Sequence, residues 1–190
     1  MHIDCNAEEQ MDGTALCIVA LADRHPGLTP AVADGYSEAA RVCLARHHTP
    51  PTLFAIDLSG EATKNSLPWE VPDNRTKGAW ANESDATRDG AYAISLAAVE
   101  VRRQLVAIRR AETLTGADYY VAAPGSDPTD LESSYRLEVS GTDSGDIAVV
   151  RLRLLQKQAQ TRAGHSNLPA IAAVVGFKST IIAIAHVENK

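Results

Sequence analysis

The sequence has no excess of basic residues: 18 lysines and arginines stand against 24 aspartates and glutamates, a formal charge of −6 over 190 residues. A global electrostatic pull toward nucleic acid is therefore absent, and any such partner has to be held by a local basic patch. Cysteine is scarce. Cys5, Cys17 and Cys43 are odd in number, widely spaced and never in a C-x-x-C pair, which fits reduced thiols in a cytosol better than a disulfide framework or a zinc knuckle. No apolar run approaches the roughly 20 residues of a membrane span, and the opening MHIDCNAEEQMDG is acidic where a signal peptide is basic and then apolar. The expectation is a cytoplasmic protein with no membrane partner. The patterns G-x-S-x-G, H-E-x-x-H and G-x-G-x-x-G are missing too, so serine hydrolase, zinc peptidase and dinucleotide-binding readings have no motif to rest on.

What is present is an ordinary globular composition, 45% hydrophobic and 22% charged, enough for one domain with a real core. The short apolar run Thr14–Leu21 reads as a buried strand, residues 31–47 as a helix stopped by Pro50-Pro51, and Thr52–Leu58 as a second strand. From Ser59 to Glu83 the chain is rich in Gly, Pro, Asn and charge without a period, which predicts a long loop or lid. A helix over about 85–110, capped by Ser84 and weakened by Gly90, comes next. Strands follow at 116–122 and 134–141, then a helix at 147–162 with Asp146 as its cap, then strands at 170–177 and 180–186. The order predicts an α/β fold, a mixed β-sheet covered by helices. Adjacent His47 and His48 point in different directions and read as a surface turn rather than a metal site.

Three acids fall where acids are costly. Glu100 has Leu96, Ala97, Val101 and Ala107 as helical neighbours, while Ser95, Arg102 and Arg109 take the other face, so Glu100 is expected to face the sheet. An ionised carboxylate there needs a hydrogen-bond partner or a metal, and a pair with a nearby arginine, Arg136 or Arg151, satisfies it as well. Asp118 opens one strand and Glu138 lies within the next. Two carboxylates on adjacent strands repel unless a proton or cation sits between them, and magnesium sites use hard oxygen donors of this kind.

In that order of acids the segment 84–187 resembles the PD-(D/E)XK nuclease superfamily, in which a helix with an acid precedes a hairpin bearing an Asp and then Glu-x-Lys, followed by a helix and a strand. The matching residues are Glu100, Asp118 in GADYY, and Glu138 with Ser140 in EVS. The resemblance implies a restriction-endonuclease-like core, with residues 1–83 adding strands, a helix and a loop. It implies a Mg²⁺-dependent nuclease in which Glu100, Asp118 and Glu138 hold the metal. The sequence departs from the pattern in two places: no proline precedes Asp118, and Ser140 stands where the family has its lysine. Serine can hydrogen-bond a water but supplies no positive charge. The helix 147–162 could supply a substitute. Its periodicity puts Lys157 with Arg153 and Gln160 on the polar side, and puts Arg151 and Gln158 between the apolar rows, where they are better placed for the site or for snorkelling at the core's edge. Arg102, Arg103, Arg109 and Arg110 form one basic stretch, and Arg151, Arg153, Lys157 and Arg162 a second; of these Arg102, Arg103 and Arg151 are the expected phosphate ligands. The alternative is a non-catalytic binding or interaction protein that keeps the fold, with a protein partner or a second copy as ligand.

Overall fold

Alternation along the strands builds two faces of one sheet. In the computed structural model, which describes residues 15–113, 115–163 and 166–187, the elements run α1 (Leu21–Arg24), α2 (Pro30–Ala45), β1 (Thr52–Leu58), β2 (Glu61–Leu67), α3 (Asn74–Ala79), α4 (Glu83–Arg103), β3 (Val106–Arg110), β4 (Tyr119–Ala122), β5 (Tyr135–Thr142), α5 (Ile147–Ala163), β6 (Ala170–Gly176) and β7 (Ile181–Val187). The seven strands form one sheet in the order β2-β1-β7-β6-β5-β4-β3. The β1–β7 and β5–β6 pairs are parallel and the others antiparallel. The protein is thus α/β, with a mixed open sheet flanked by helices.

The main core lies between the sheet and α2 with α4, and takes alternate residues such as Phe54 and Ile56, Leu137 and Val139, and Ile171, Ala173 and Val175. The other face is covered by α5, which packs on β5, β6 and β7 through Val150 and Leu154. Two glycines set how closely α4 approaches its neighbours. A Cβ on Gly90 would lie 2.8 Å from the Ala40 backbone of α2, and one on Gly141 of β5 would lie 2.7 Å from the Thr87 carbonyl oxygen of α4. Side chains larger than hydrogen are excluded at both contacts, so α4 is fixed in depth against both elements.

Four expectations fail, each for a local reason. Residues 15–20 are not a strand. Leu16, Ile18 and Leu21 are buried, and Leu16 makes one sheet-like bond, its N–H donating to the Ser66 carbonyl at 2.7 Å. The Arg24 guanidinium takes the carbonyls of Cys17, Val19 and Ala20 that a sheet neighbour would have taken. The predicted loop 59–83 contains β2 and α3. β2 is polar because it is an edge strand exposed along most of its length, which protects it from pairing with other chains. Its turn, Ser59-Gly60, has φ of 53° and 99°, the left-handed pair that a two-residue hairpin needs. Helix α4 starts under an Asn82 cap, whose side chain accepts from Ser84 and Asp85, and it ends at Arg103 with Gln104 left-handed. The chain then becomes β3, with no Gly or Pro to announce the change. Among the cysteines, Cys43 is a free buried thiol whose pKa burial pushes up to about 12, whereas Cys17 is disulfide-bonded, against the expectation of reduced thiols throughout. No helix of the described residues is long and apolar enough to cross a membrane.

Candidate functional site

Strand β5 outlasts its neighbour. It pairs with β4 only over Tyr135–Leu137, while its pairing with β6 continues to Thr142. Where the β4 ladder stops, a side chain replaces it: the Asp118 N–H donates to the Leu137 carbonyl at 2.8 Å, and Asp118 Oδ2 accepts from the Val139 N–H at 2.8 Å. The N–H and C=O of one residue in a strand leave on the same side, so the Val139 carbonyl also faces Asp118. The gap beside this half of β5 is a cleft of about 520 Å³ between the first half of α4 and α5, lined by Asp118, Glu138, Ser140, Arg88, Arg153 and Lys157 among others.

Asp118 is held from three directions. Besides Val139, the Tyr92 hydroxyl of α4 donates to its Oδ1 at 2.7 Å, and Arg110 Nη2 lies 3.6 Å away. Arg110 in turn donates to the Tyr92 hydroxyl at 3.1 Å. Burial and the Asp118 charge push the Tyr92 hydroxyl pKa up, which keeps it a donor. Glu138 points from β5 toward α5, where Lys157 Nζ donates to its Oε1 at 2.6 Å. Its pKa is raised, first by burial and then by the neighbouring Asp118 charge, with Lys157 pulling the other way. The two carboxylates thus feel each other across the cleft. Ser140 lies beyond them and accepts from Arg153 Nη1 at 3.3 Å, while the same nitrogen donates to the Gly141 carbonyl at 3.0 Å.

Of the residues expected at the site, Asp118, Glu138 and Ser140 come together and Glu100 does not. The α4 residue that touches Asp118 is Tyr92, and Glu100 lies eight residues further on, about 12 Å along the axis. There Glu100 accepts from Arg24 Nε at 2.8 Å, with His25 Nε2 at 3.3 Å. His25 Nδ1 accepts from the Ala107 N–H, which leaves the imidazole proton on Nε2, facing Glu100. Burial pushes the Glu100 carboxyl up, but His25 and Arg24 together outweigh it and hold the group below its ordinary value. The arginine expected there, Arg136 or Arg151, is elsewhere: Arg136 is buried and donates to the carbonyls of Leu168, Thr115 and Thr161. Glu100 is part-buried and paired with Arg24 of the N-terminal segment rather than facing the sheet; Ala107 and Arg109, expected to share its helix and define its face, lie on β3, and Ser95, expected on the outer face, is fully buried. Among the described residues no three His, Cys, Asp or Glu side chains gather as a metal-holding group.

The predicted phosphate ligands also lie off the cleft. Arg102 braces the β1–β2 edge through the Ile56 carbonyl and the Thr63 hydroxyl. Arg103 meets His186 and lies over the Tyr135 ring, and Arg151 is exposed, 4.0 Å from Asp57. Gln158 donates to the His186 carbonyl at 3.1 Å, leaving it outside the cleft. The cations that line the cleft are Arg88, Arg153 and Lys157. Periodicity misassigned α5 because the helix exposes Ile147, Val149, Leu152 and Leu155. Its sheet-facing row is Val150, Leu154, Lys157 and Thr161, a spacing of four, three and four, so Lys157 faces inward with apolar neighbours. That row was the available signal.

His47 and His48 do diverge, to the Asp143 carboxylate and the Phe177 carbonyl respectively, and Asp146 caps α5 through the Val149 N–H. No protein-family model matches the chain, and neither a curated protein nor a solved structure is significantly similar to it.

Proposed function

We propose that this chain is a Mg²⁺-dependent nuclease that hydrolyses phosphodiester bonds, with a restriction-endonuclease-like core running from α4 to β6. The observation that carries the reading is the meeting of Asp118, Glu138 and Lys157 at the frayed edge of β5. Lys157, from the following helix, supplies the positive charge that Ser140 lacks. The order helix, hairpin, helix and strand is also the order in which that superfamily presents its site.

The donor set fits the metal in part. Asp118, Glu138 and the Val139 carbonyl are hard oxygen donors on one edge; the Glu138 pKa is raised first by burial and then by the Asp118 charge, and the second of these is the kind of repulsion a bound cation relieves. Glu100, paired elsewhere, has no part in it. Bound by these three donors, Mg²⁺ would supply Lewis acidity toward a phosphate oxygen and make a water more acidic. The chain's own groups do the rest. Arg153 and Arg88 hold the phosphate, Tyr92 and the Val139 N–H keep Asp118 oriented, and the Lys157 ammonium offsets charge that develops on phosphorus-bound oxygens. Hydrolysis adds the water hydroxyl to phosphorus and returns a proton to the departing sugar oxygen.

A second reading, a binding protein without catalysis, is favoured by one feature: Glu138 and Asp118 already have protein partners at 2.6–2.8 Å. Incubation of the purified chain with single-stranded and duplex DNA and RNA in Mg²⁺ separates the two. Cleavage that disappears in Asp118→Asn and falls by about a hundredfold in Lys157→Met, both folded by circular dichroism, supports the nuclease. Cleavage that persists in both variants, or none on any substrate, overturns it.

A further inference from the structure

Beside the cleft, across the Tyr92 ring, lies a second recess of about 590 Å³. Arg88 and Tyr92 line both spaces. Its floor is aromatic: Tyr92 and Tyr119 are 5% and 1% exposed, and the Tyr36 and Tyr119 hydroxyls share a hydrogen bond of 2.8 Å. Arg110 lies on this floor with its guanidinium carbon 4.6 Å from the centroids of both the Tyr92 and Tyr119 rings. The guanidinium is committed at its edges, to the Tyr36 hydroxyl at 3.3 Å and the Tyr92 hydroxyl at 3.1 Å, yet the side chain remains 47% exposed. With Nη1 and Nη2 each donating to a tyrosine hydroxyl and the guanidinium lying over both rings, the half-exposed Arg110 extends the aromatic floor as a planar group on which another flat group can stack. The recess also contains Asp89, which Arg88 holds at 2.6 Å. A carboxylate there repels a phosphate and accepts from an exocyclic amine.

Flat, neutral, amine-bearing and adjacent to a phosphate is the description of a nucleobase. We propose that this recess takes one unpaired base of the substrate, stacked on Arg110, while the neighbouring phosphate occupies the cleft. The inference rests on the nuclease reading for its substrate and adds a class to it: single-stranded or locally opened nucleic acid, since a base within a duplex cannot leave its stack to enter a recess without the cost of unpairing.

The test uses Val32, which lines the recess at 39% exposure in the first turn of α2 and touches neither carboxylate of the cleft. Val32→Trp fills the space. Binding of a fluorescently labelled short single strand is measured by anisotropy in EDTA, so that no cleavage intervenes, alongside the same strand made abasic and the matching duplex. The expected result is a loss of about tenfold in single-strand affinity for Val32→Trp, the scale of one stacked base. A similar loss is expected for the abasic strand on the unsubstituted protein, where folding of a variant is not in question. Equal affinity for intact and abasic strands, or for single strand and duplex, overturns the proposal. If binding falls as expected but Mg²⁺ brings no cleavage, the recess stands and the nuclease reading fails. If cleavage occurs and binding is indifferent to the base, the nuclease stands and the recess fails.

Discussion

Glu100 and Glu138 are both partly buried glutamates, each with a cation within 2.8 Å, and folding moves their proton affinities in opposite directions. Burial pushes the Glu100 pKa up, but His25 and Arg24 outweigh it, so its ionised form is favoured. Glu138 is pushed up first by burial and then by the Asp118 charge, and its one partner, Lys157, does not outweigh them, so its ionised form is disfavoured. The first is a relaxed ion pair that ties the N-terminal segment to α4. The second is a partly buried carboxylate beside a cleft, only partly compensated by Lys157, and a charge held at a cost is what a binding or catalytic site retains at the expense of stability.

Cleavage assays should separate the surroundings of these two glutamates most widely. Asp118→Asn should abolish Mg²⁺-dependent cleavage, and Lys157→Met should lower it by about a hundredfold, whereas Glu100→Ala should leave turnover per folded molecule unchanged. An assay in which Glu100→Ala loses as much as Asp118→Asn would place all three acids in one site after all. Stability should sort the same residues in reverse. Glu100→Ala removes the carboxylate that Arg24 Nε donates to and that lies 3.3 Å from the buried His25 ring, and should cost about 2 kcal/mol in urea unfolding, and Glu138→Gln should cost much less or stabilise.

Acid titration sharpens the contrast further. Because folding lowers the Glu100 pKa, its contribution is present above the ordinary carboxylate value of 4.5 and is lost as pH falls through the folded value. Folding raises the Glu138 pKa, so its contribution is complete below 4.5 and is lost as pH rises through the folded value. Urea midpoints followed from acid to neutral pH should therefore rise less steeply in Glu100→Gln and more steeply in Glu138→Gln than in the unsubstituted chain; slopes that change in the same direction would show the two environments to be alike. The smallest effect is expected at Ser140, whose hydroxyl accepts from Arg153 at 3.3 Å. Ser140→Ala should change cleavage by less than about threefold, and a larger loss would return the serine to a direct role.

Much of this layout is legible in the sequence. The helices α2 and α5 and the strands β1, β5, β6 and β7 follow from apolar runs, caps and breakers, whereas Asp118 and Glu138 are singled out by the order of three acids, of which Glu100 lies away from the other two. The misses share a cause: side chains doing what local pattern assigns to backbone or to another face. Arg24 satisfies the carbonyls of an apolar segment that reads as a strand. β2 reads as a loop because an exposed edge strand needs no apolar face. Gln104 ends α4 in a left-handed conformation open to few residues other than glycine, so the basic stretch 102–110 is split between a helix end and a strand. Lys157 is hidden by the leucines that α5 leaves in solvent, which make the wrong side of the helix look like the inner one.

The glycine contacts at Gly90 and Gly141 carry a consequence for how this chain can vary. They lock α4 at one height and one rotation, and the same helix presents Tyr92 to Asp118 at one place and Glu100 to Arg24 two turns later. A residue inserted between Tyr92 and Glu100 would turn everything beyond it by about 100° and shift it by about 1.5 Å. The Arg24 tie would then break while the cleft wall stayed where it was. Substitutions along this helix are tolerable one at a time; changes of its length are not, and viable variants of the chain should lengthen or shorten at the loops on either side of it.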